Sequence, residues 1–428
     1  MEEKKIKNFH KSSSFTNYLL VAFSISITVS FFVSSYSTVR IANTLSYHTN
    51  DGWCDPTTEG FGEHCFGDFY APLQFANTEN PWNGPISNYP PAAYILMKPF
   101  STIHGIWPGR IALIAFLSLA FACLIFPILH MYWRKLAPTS ILGVALLVTL
   151  TSGPSVTLID RGNVLIFALP AIYMYLYKIK KQDFKSAVLY GVFFTVIKPQ
   201  LILLAFLLLA MKKYKLVAKW ILLSTIVTFA SFLFYPSNIL HNISKWVIST
   251  VKYQSYSAVG VLEPVNVSLK SSIDVIANIF GQTINSTITQ LIIYTLFGLS
   301  VYNFLKKFKQ QSTEMNFLAV SLFPILFVGT TFHYYLVILL PPLYMILINK
   351  SETNEFSVFR TSNRKINLEK MVIWLYVIIL IPITIPWSST GHFQGRGWEN
   401  ISMHWLLAQI TLSVCGLYLL LERIKIRK

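Results

Sequence analysis

Long apolar runs alternate with short basic stretches along nearly the whole chain of 428 residues. A helix rises about 1.5 Å per residue, so roughly 20 apolar residues are needed to cross about 30 Å of hydrocarbon. Judged by that length, the pattern predicts about 12 membrane segments. They are residues 16–38, 109–132, 138–156, 163–178, 186–197, 199–211, 216–235, 286–304, 315–332, 333–349, 371–388 and 403–421. We therefore expect one all-α, multi-pass membrane domain over residues 1–428.

Two of these segments are unusual because a lysine and a proline separate them. In "AVLYGVFFTVIKPQLILLAFLLLAMKKYK", Lys198 and Pro199 leave about a dozen apolar residues on each side, too few to cross comfortably. We expect a hairpin of two short or broken helices with Lys198 near its tip. Non-helical backbone at such depth is tolerated only where it is buried in protein or lines a polar cavity.

Composition supports a membrane protein and argues against a nucleic-acid partner. The chain is 54% hydrophobic and 12% charged, with a mean hydropathy of +0.52, whereas soluble domains carry about 25% charge. Its net charge of +17 comes from lysines and arginines clustered between apolar runs, as cytoplasmic loops require. Placing these clusters in the cytoplasm puts both termini there and leaves residues 39–108, 236–285 and 389–402 outside.

The extracytoplasmic loop at residues 39–108 is expected to be organised. Its stretch "NYPPAAYILMKPFSTI" is apolar but too short to span, which favours an interfacial helix on the membrane surface. Cys54 and Cys65 share this loop and could form a disulfide if it lies outside the cytoplasm. Spacing alone does not decide that pairing, because a disulfide needs a specific geometry.

Sequence motifs exclude several kinds of chemistry. No P-loop, GxSxG nucleophile elbow, HExxH, zinc spacing or D-x-D is present, so we expect no cofactor and name no metal-ligating residue. The sequence leaves open whether the activity depends on a metal. A polar set remains on the predicted outer side, and ionisable groups near hydrocarbon are costly and usually functional. The set comprises Asp68, Asp160, Arg161, Asn163, Lys198, Asn266, Ser268 and His333.

Each ionisable member also has an ordinary explanation. Asp68 could be one solvated acid among several in its loop, and Asp160 with Arg161 could form an ion pair at a helix end. Lys198 could extend its ammonium to the headgroups. His333 could be a hydrogen-bonded residue between two segments.

Six motifs in order resemble glycosyltransferase family 87 of the GT-C superfamily, which includes polyprenol-phosphate-mannose-dependent mannosyltransferases. They are the Asp68 region, "NPWNGPISNYPPAAYILMKPF", "DRGNVLIFALPAIYMYLY", "KPQLILLAFLLLAMKKYK", and "PVNVSLKSSIDVI" with "FHYYLVILLPPLYMIL". The resemblance covers roughly residues 66–345. Two positions depart from it: Asn163 stands where many members have Gln, and Phe332 stands where an acidic residue is common.

The resemblance implies a GT-C-type helical bundle and a role for each site residue. Asp68 would be the base, His333 a second catalytic residue, and Arg161 and Lys198 would bind the donor phosphate. Asp160, Asn163, Asn266 and Ser268 remain further polar candidates. Contacts to sugar or lipid are expected from Trp82, Tyr89 and Tyr94, although an aromatic belt at the interface explains these residues equally well.

The predicted activity is therefore an inverting transfer of a hexose, mannose first, from a polyprenyl phosphate to a lipid or glycan acceptor. The reaction would take place on the outer face of the plasma membrane. A transporter or flippase for a lipid-linked sugar is the alternative. Transporters commonly contain repeated halves, and no clear repeat is evident in this chain.

Overall fold

The computed structural model describes residues 67–83, 89–106, 110–235, 238–257, 266–279, 285–329, 331–353 and 403–421. In these residues the chain is helical, and its one bridge between extended residues joins Asn266 to Phe332. The predicted segments 16–38 and 371–388, together with Cys54 and Cys65, lie outside the described residues. The all-α prediction is confirmed for the part that is described.

Fifteen α-helices are described. They are α1 Gly67–Ala76, α2 Pro91–Ile106, α3 Arg110–Trp133, α4 Thr139–Thr151, α5 Gly153–Arg161, α6 Leu165–Lys180, α7 Phe184–Ile197, α8 Phe206–Ala210, α9 Tyr214–Ser231, α10 Ile239–Ser257, α11 Leu269–Ile279, α12 Ser286–Lys307, α13 Thr313–Leu326, α14 Leu340–Thr353 and α15 Met403–Leu421. Two longer 3-10 helices, Pro199–Ala205 and His333–Leu339, precede α8 and α14.

Three described helices are long and apolar enough to cross a bilayer: Ile111–Trp133, Tyr214–Phe234 and Ser286–Gln310. The pair α4 and α5, bent by 52° at Ser152, would be a fourth span. The predicted segment 138–156 is therefore not one straight helix. Several other predicted segments fall on helices of 10 to 17 residues. The chain is a membrane protein, and the count of about 12 segments stays a prediction.

The break predicted at Lys198 is present. Helix α7 ends at Ile197, Lys198 adopts extended backbone angles, and Pro199 begins the 3-10 helix. The hydroxyl of Tyr175 on α6 donates a hydrogen bond to the Leu204 carbonyl at 2.9 Å, so part of the broken backbone is satisfied by a neighbouring helix. This contact meets the requirement that irregular backbone at membrane depth be buried in protein.

Helix α10 is amphipathic, but its apolar side chains face outward and its polar side chains face the protein, the reverse of a helix in a soluble protein. It exposes Leu240 and Val251, 80% and 61% accessible, while Asn242 and Ser249 are buried. The Asn242 side-chain amide donates to the Tyr235 carbonyl at 2.8 Å, which connects the inner face to the end of the preceding span. An apolar outer face suits contact with lipid at the interface.

Helices α7 and α9 approach each other closely because Gly191 has no side chain. A β-carbon there would lie 2.5 Å from the Trp220 ring. That ring is held by a 3.1 Å hydrogen bond from its Nε1 to the Thr195 hydroxyl and by edge contacts with Tyr175 and Phe194. Small residues often permit such close contacts between membrane helices, where the hydrophobic effect contributes little to association.

We expect Gly191→Ala to lower the thermal unfolding temperature in detergent, because overpacking a rigid contact costs about 1–3 kcal/mol. Gly143→Ala in α4 is the matched control, since a β-carbon there meets no atom within 4 Å. The control should be neutral or slightly stabilising, because alanine is the better helix former. Equal unfolding temperatures for the two variants would contradict the proposed contact.

Candidate active site

The carboxylate of Asp68 lies in the first turn of α1, where the helix dipole favours negative charge. The next residue, Phe69, is fully buried and packs against Phe100 and Phe116, with ring centroids 6.0 and 4.7 Å away. This aromatic packing holds the start of α1 against α2 and α3. Asp68 is therefore not a solvated loop acid.

Arg161 pairs with Asp68. Its Nη2 donates to Asp68 Oδ1 at 2.8 Å, joining residues 93 positions apart in the sequence. Arg161 is the last residue of α5 and Asp160 the one before it. Gly162 then reverses the chain in the left-handed conformation, with φ of 63°. A β-carbon at Gly162 would lie 2.6 Å from the Phe69 β-carbon, so glycine allows α5 to end directly against α1.

Asn163 completes the contacts of the carboxylate. Its Nδ2 lies 2.6 Å from Asp68 Oδ2 and 3.0 Å from the hydroxyls of both Tyr89 and Tyr334. Its Oδ1 accepts a hydrogen bond from the Leu165 backbone N–H at 3.0 Å. One amide thus joins α1, the segment before α2, the start of α6 and the 3-10 helix His333–Leu339.

The Lys198 ammonium is buried against aromatic rings. The side chain is 4% exposed, and its Nζ lies 4.5 Å from the Tyr89 ring centroid and 5.7 Å from that of Tyr335. Tyr335 in turn accepts a hydrogen bond from the Gln200 amide. Within the described ranges no carboxylate forms an ion pair with Lys198, although the charge of Asp68 acts on it.

Opposing effects set the pKa values of these charged groups. Burial raises the pKa of the Asp68 carboxyl, but Arg161, the Asn163 hydrogen bond and Lys198 together bring it below its usual value. Burial lowers the pKa of the Lys198 ammonium to about 8, against the stabilising charge of Asp68. At neutral pH the site therefore contains one carboxylate between two cations.

Asn266 and Ser268 hold the loop that leads to His333. Asn266 Oδ1 accepts hydrogen bonds from the N–H groups of Ser268 and Thr331 at 3.1 and 2.9 Å, and its Nδ2 donates to the Gly329 carbonyl at 3.0 Å. The Ser268 hydroxyl also approaches that carbonyl, at 3.3 Å. His333 follows at 1% exposure and begins the 3-10 helix that carries Tyr334 and Tyr335.

The three predicted aromatic contacts differ from one another. Trp82 and Tyr94 are buried in an aromatic cluster, with ring centroids 5.7 Å apart, and the Trp82 Nε1 donates to the Tyr89 carbonyl at 3.0 Å. Tyr89 contacts the polar residues described above, through Asn163 and Lys198. Trp82 and Tyr94 therefore pack beside Tyr89 and help to hold it in place.

Sequence reasoning missed several residues of this site. Tyr334 and Tyr335 directly follow the predicted His333, and Tyr253 on α10 interacts electrostatically with Asp68 and Arg161. The available signal was the pair of tyrosines in "FHYYL", between apolar segments. Among the described residues, no three His, Cys, Asp or Glu side chains come together as a metal site would require.

A helical membrane protein in which a partly buried carboxylate lies near two cations fits the broad class of proteins that carry out polar chemistry at the bilayer. Comparison with known families narrows that class. The chain belongs to glycosyltransferase family 87, whose family model matches residues 88–331, more than half of the chain. No curated protein and no solved structure matches it. The resemblance identified from the motifs is confirmed, and the chain is a membrane glycosyltransferase that uses a sugar donor and an acceptor.

The matched range includes Arg161, Asn163, Lys198, Asn266 and Ser268. Asp68 lies before its beginning, and His333 lies two positions beyond its end. Both nevertheless come from elements that contact matched residues: Asp68 pairs with Arg161, and Tyr334, next to His333, contacts Asn163.

The Asp68–Arg161 pair should show thermodynamic coupling, because removing one partner leaves an uncompensated charge in a poorly hydrated site. We expect Asp68→Asn and Arg161→Gln each to cost about 1–3 kcal/mol, and the double variant to cost less than their sum. Thermal unfolding in detergent measures the cycle. The more accessible pair Lys178–Asp183, with side chains 28% and 38% accessible against 22% and 16% for Arg161 and Asp68, is the control and should show weaker coupling. Additive losses at the Asp68 pair would contradict the expectation.

Proposed function

We propose that this glycosyltransferase moves a hexose, mannose first, from a polyprenyl phosphate to a hydroxyl of a lipid or glycan acceptor on the outer face of the plasma membrane. The observation that carries the proposal is the convergence of one carboxylate and two cations, Asp68, Arg161 and Lys198, in a site surrounded by tyrosines. A base and two phosphate-binding cations are the groups that this reaction needs.

In the proposed step, Asp68 removes the proton from the acceptor hydroxyl as that oxygen attacks the anomeric carbon. The bond between the anomeric carbon and the phosphate oxygen breaks, and the lipid phosphate leaves with the electron pair. A single displacement of this kind inverts the anomeric centre. Arg161 and Asn163 each occupy one oxygen of Asp68, and since each carboxylate oxygen has a second lone pair, the group can still accept a proton.

The cations would stabilise the charge that develops on the leaving phosphate. Lys198 is already desolvated and faces tyrosine rings. Its ammonium therefore loses little further hydration when a phosphate binds, which makes the contact more favourable. Arg161 has further N–H groups beyond the one bound to Asp68, and a guanidinium can bind carboxylate and phosphate oxygens together. Preorganised charge of this kind is often the largest contribution to catalysis.

The outer location is supported by where the basic residues fall on the described helices. Helix α6 begins two residues after Asn163 and ends in the basic stretch at Lys178 and Lys180. Helix α7 then runs in the opposite direction, from Phe184 beside Lys185 to Ile197, which immediately precedes Lys198. The site and this basic cluster thus lie at opposite ends of the same two helices. The proposal places the basic end in the cytoplasm.

The proposed site also includes His333 as a second catalytic residue, and this role rests on the family resemblance alone.

Replacing Asp68 tests the base. We expect Asp68→Asn to reduce transfer by about 10³-fold or more, with donor binding largely retained, in an assay of purified protein with polyprenyl-phosphate sugars and a panel of lipid acceptors. Asp274→Asn is the control, because this acid pairs with Lys270 on α11, apart from the Asp68 contacts. Full activity in Asp68→Asn would rule out the base. Movement of labelled lipid between leaflets by the wild type, without a glycosidic bond, would instead establish the alternative, a flippase.

Replacing Lys198 tests the phosphate contact. We expect Lys198→Ala to weaken donor binding about 10- to 100-fold, while Lys306→Ala, which removes an exposed lysine over the Tyr302 ring, changes nothing. Donor affinity of the wild type should fall as the pH rises through about 8, where the Lys198 ammonium loses its proton. A phosphodiester donor keeps one charge across this range, so Lys198→Arg should abolish the fall. A pH-independent affinity in the wild type would exclude Lys198 from the phosphate site.

A further inference from the structure

Asn163 is held in one orientation by the turn between α5 and α6. It is 1% exposed, and its Oδ1 accepts a hydrogen bond from the N–H of Leu165, the first residue of α6. The oxygen of the amide is therefore committed to the backbone, and the NH₂ group must face Asp68. Hydrogen-bond networks of this kind decide which way an asparagine amide points.

The amide has more acceptors than protons. Its two N–H groups face three oxygens: Asp68 Oδ2 at 2.6 Å and the hydroxyls of Tyr89 and Tyr334, each at 3.0 Å. The bond to the carboxylate is the shortest, and charge-assisted hydrogen bonds are also the strongest. It should retain one N–H, and the two phenols share the other.

We propose that Asn163 is a positioning residue, which orients the Asp68 carboxylate for proton transfer and connects it to the segments that carry Tyr89 and Tyr334. The inference rests on the proposed function, in which Asp68 is the base. Arg161 fixes Oδ1 of Asp68 and Asn163 fixes Oδ2, so that the plane of the carboxylate is defined from both ends. Asn163 acts through Asp68, and no step of the reaction is assigned to it directly.

The charged and titratable groups around Asp68 differ from Asn163 in how they act on its carboxylate. Arg161 and Lys198 face the carboxylate with positive charge. Burial raises the pKa values of the Tyr89 and Tyr253 phenols, so these two stay neutral in the working range. The phenols of Tyr334 and Tyr335 also lie near the carboxylate. Lys98 on the adjacent α2 is engaged elsewhere, with the Phe234 carbonyl and the Tyr235 ring.

The test compares Asn163→Asp and Asn163→Ala in the pH dependence of kcat/KM. The aspartate variant retains an acceptor for the Leu165 N–H, so the turn is preserved, but it replaces the donor with a second carboxylate beside Asp68. Two adjacent carboxylates share a proton, which raises the pKa of the pair. Activity needs ionised Asp68, so the acidic limb of the profile should move to higher pH, further in Asn163→Asp than in Asn163→Ala.

We further expect kcat to fall about 10- to 100-fold at the optimum in both variants, because a misplaced base loses its near-attack geometry. The donor KM should change by less than about threefold. Asn77→Asp is the matched control. It makes the same charge change at an exposed position just after α1, where the amide donates only to the Ser101 hydroxyl. Its acidic limb should coincide with that of the wild type.

An acidic limb that stays in place in both Asn163 variants would overturn the inference, even if activity falls, because a loss of folded protein lowers the rate without moving the limb. An infrared titration of the Asp68 carboxyl stretch, assigned by its absence in Asp68→Asn, gives a readout independent of transfer. If the wild type transfers no sugar but the titration moves in Asn163→Asp, the proposed function fails and the coupling stands. If transfer occurs and the titration does not move, only the inference fails.

Discussion

The ion pair between Asp68 and Arg161 is the contact on which the rest of the site depends. It joins the first turn of α1 to the last residue of α5 at 2.8 Å, and Gly162 makes that approach possible by leaving room for Phe69. Asn163 follows immediately and connects the pair to Tyr89 and Tyr334. A partly buried pair adds little to stability by itself, because desolvation offsets attraction. Its value here lies in setting the charge and the orientation of one carboxylate.

The arrangement solves a general problem of chemistry beside a bilayer. Polar groups must be concentrated at one site, yet each unpaired charge near hydrocarbon is expensive. In this chain the carboxylate is neutralised by Arg161, and the second cation, Lys198, is stabilised by the faces of Tyr89 and Tyr335. Cation–π contacts hold a positive charge without committing it to an anion. Under the proposed function, Lys198 is the cation that meets the donor phosphate.

Sequence alone predicted the helical membrane fold and the break at Lys198, since hydropathy and charge are properties of single segments. It also named Asp68, Arg161 and Lys198, whose roles stay predictions. It did not predict the bend at Ser152 or the positions of Tyr253, Tyr334 and Tyr335 near the carboxylate. The apolar pattern of a segment predicts its length more reliably than the direction of its helix axis. A tyrosine near a membrane surface is normally attributed to the aromatic belt. The sequence named Asn163 only as one of several polar candidates, because the contacts that distinguish its amide come from three residues far away in sequence.

The helix His333–Leu339 has a consequence for the order in which the site can assemble during synthesis. Asp68 has no ion-pair partner until the chain has been made as far as Arg161, and Asn163 lacks one of its phenols until Tyr334 appears. The hydrogen bond from the Thr331 N–H to the Asn266 side chain also forms only after Thr331 has been synthesised. A nascent chain therefore contains both charges of the pair long before it contains the site. Any quality control that senses exposed polar groups in the bilayer would act during this interval.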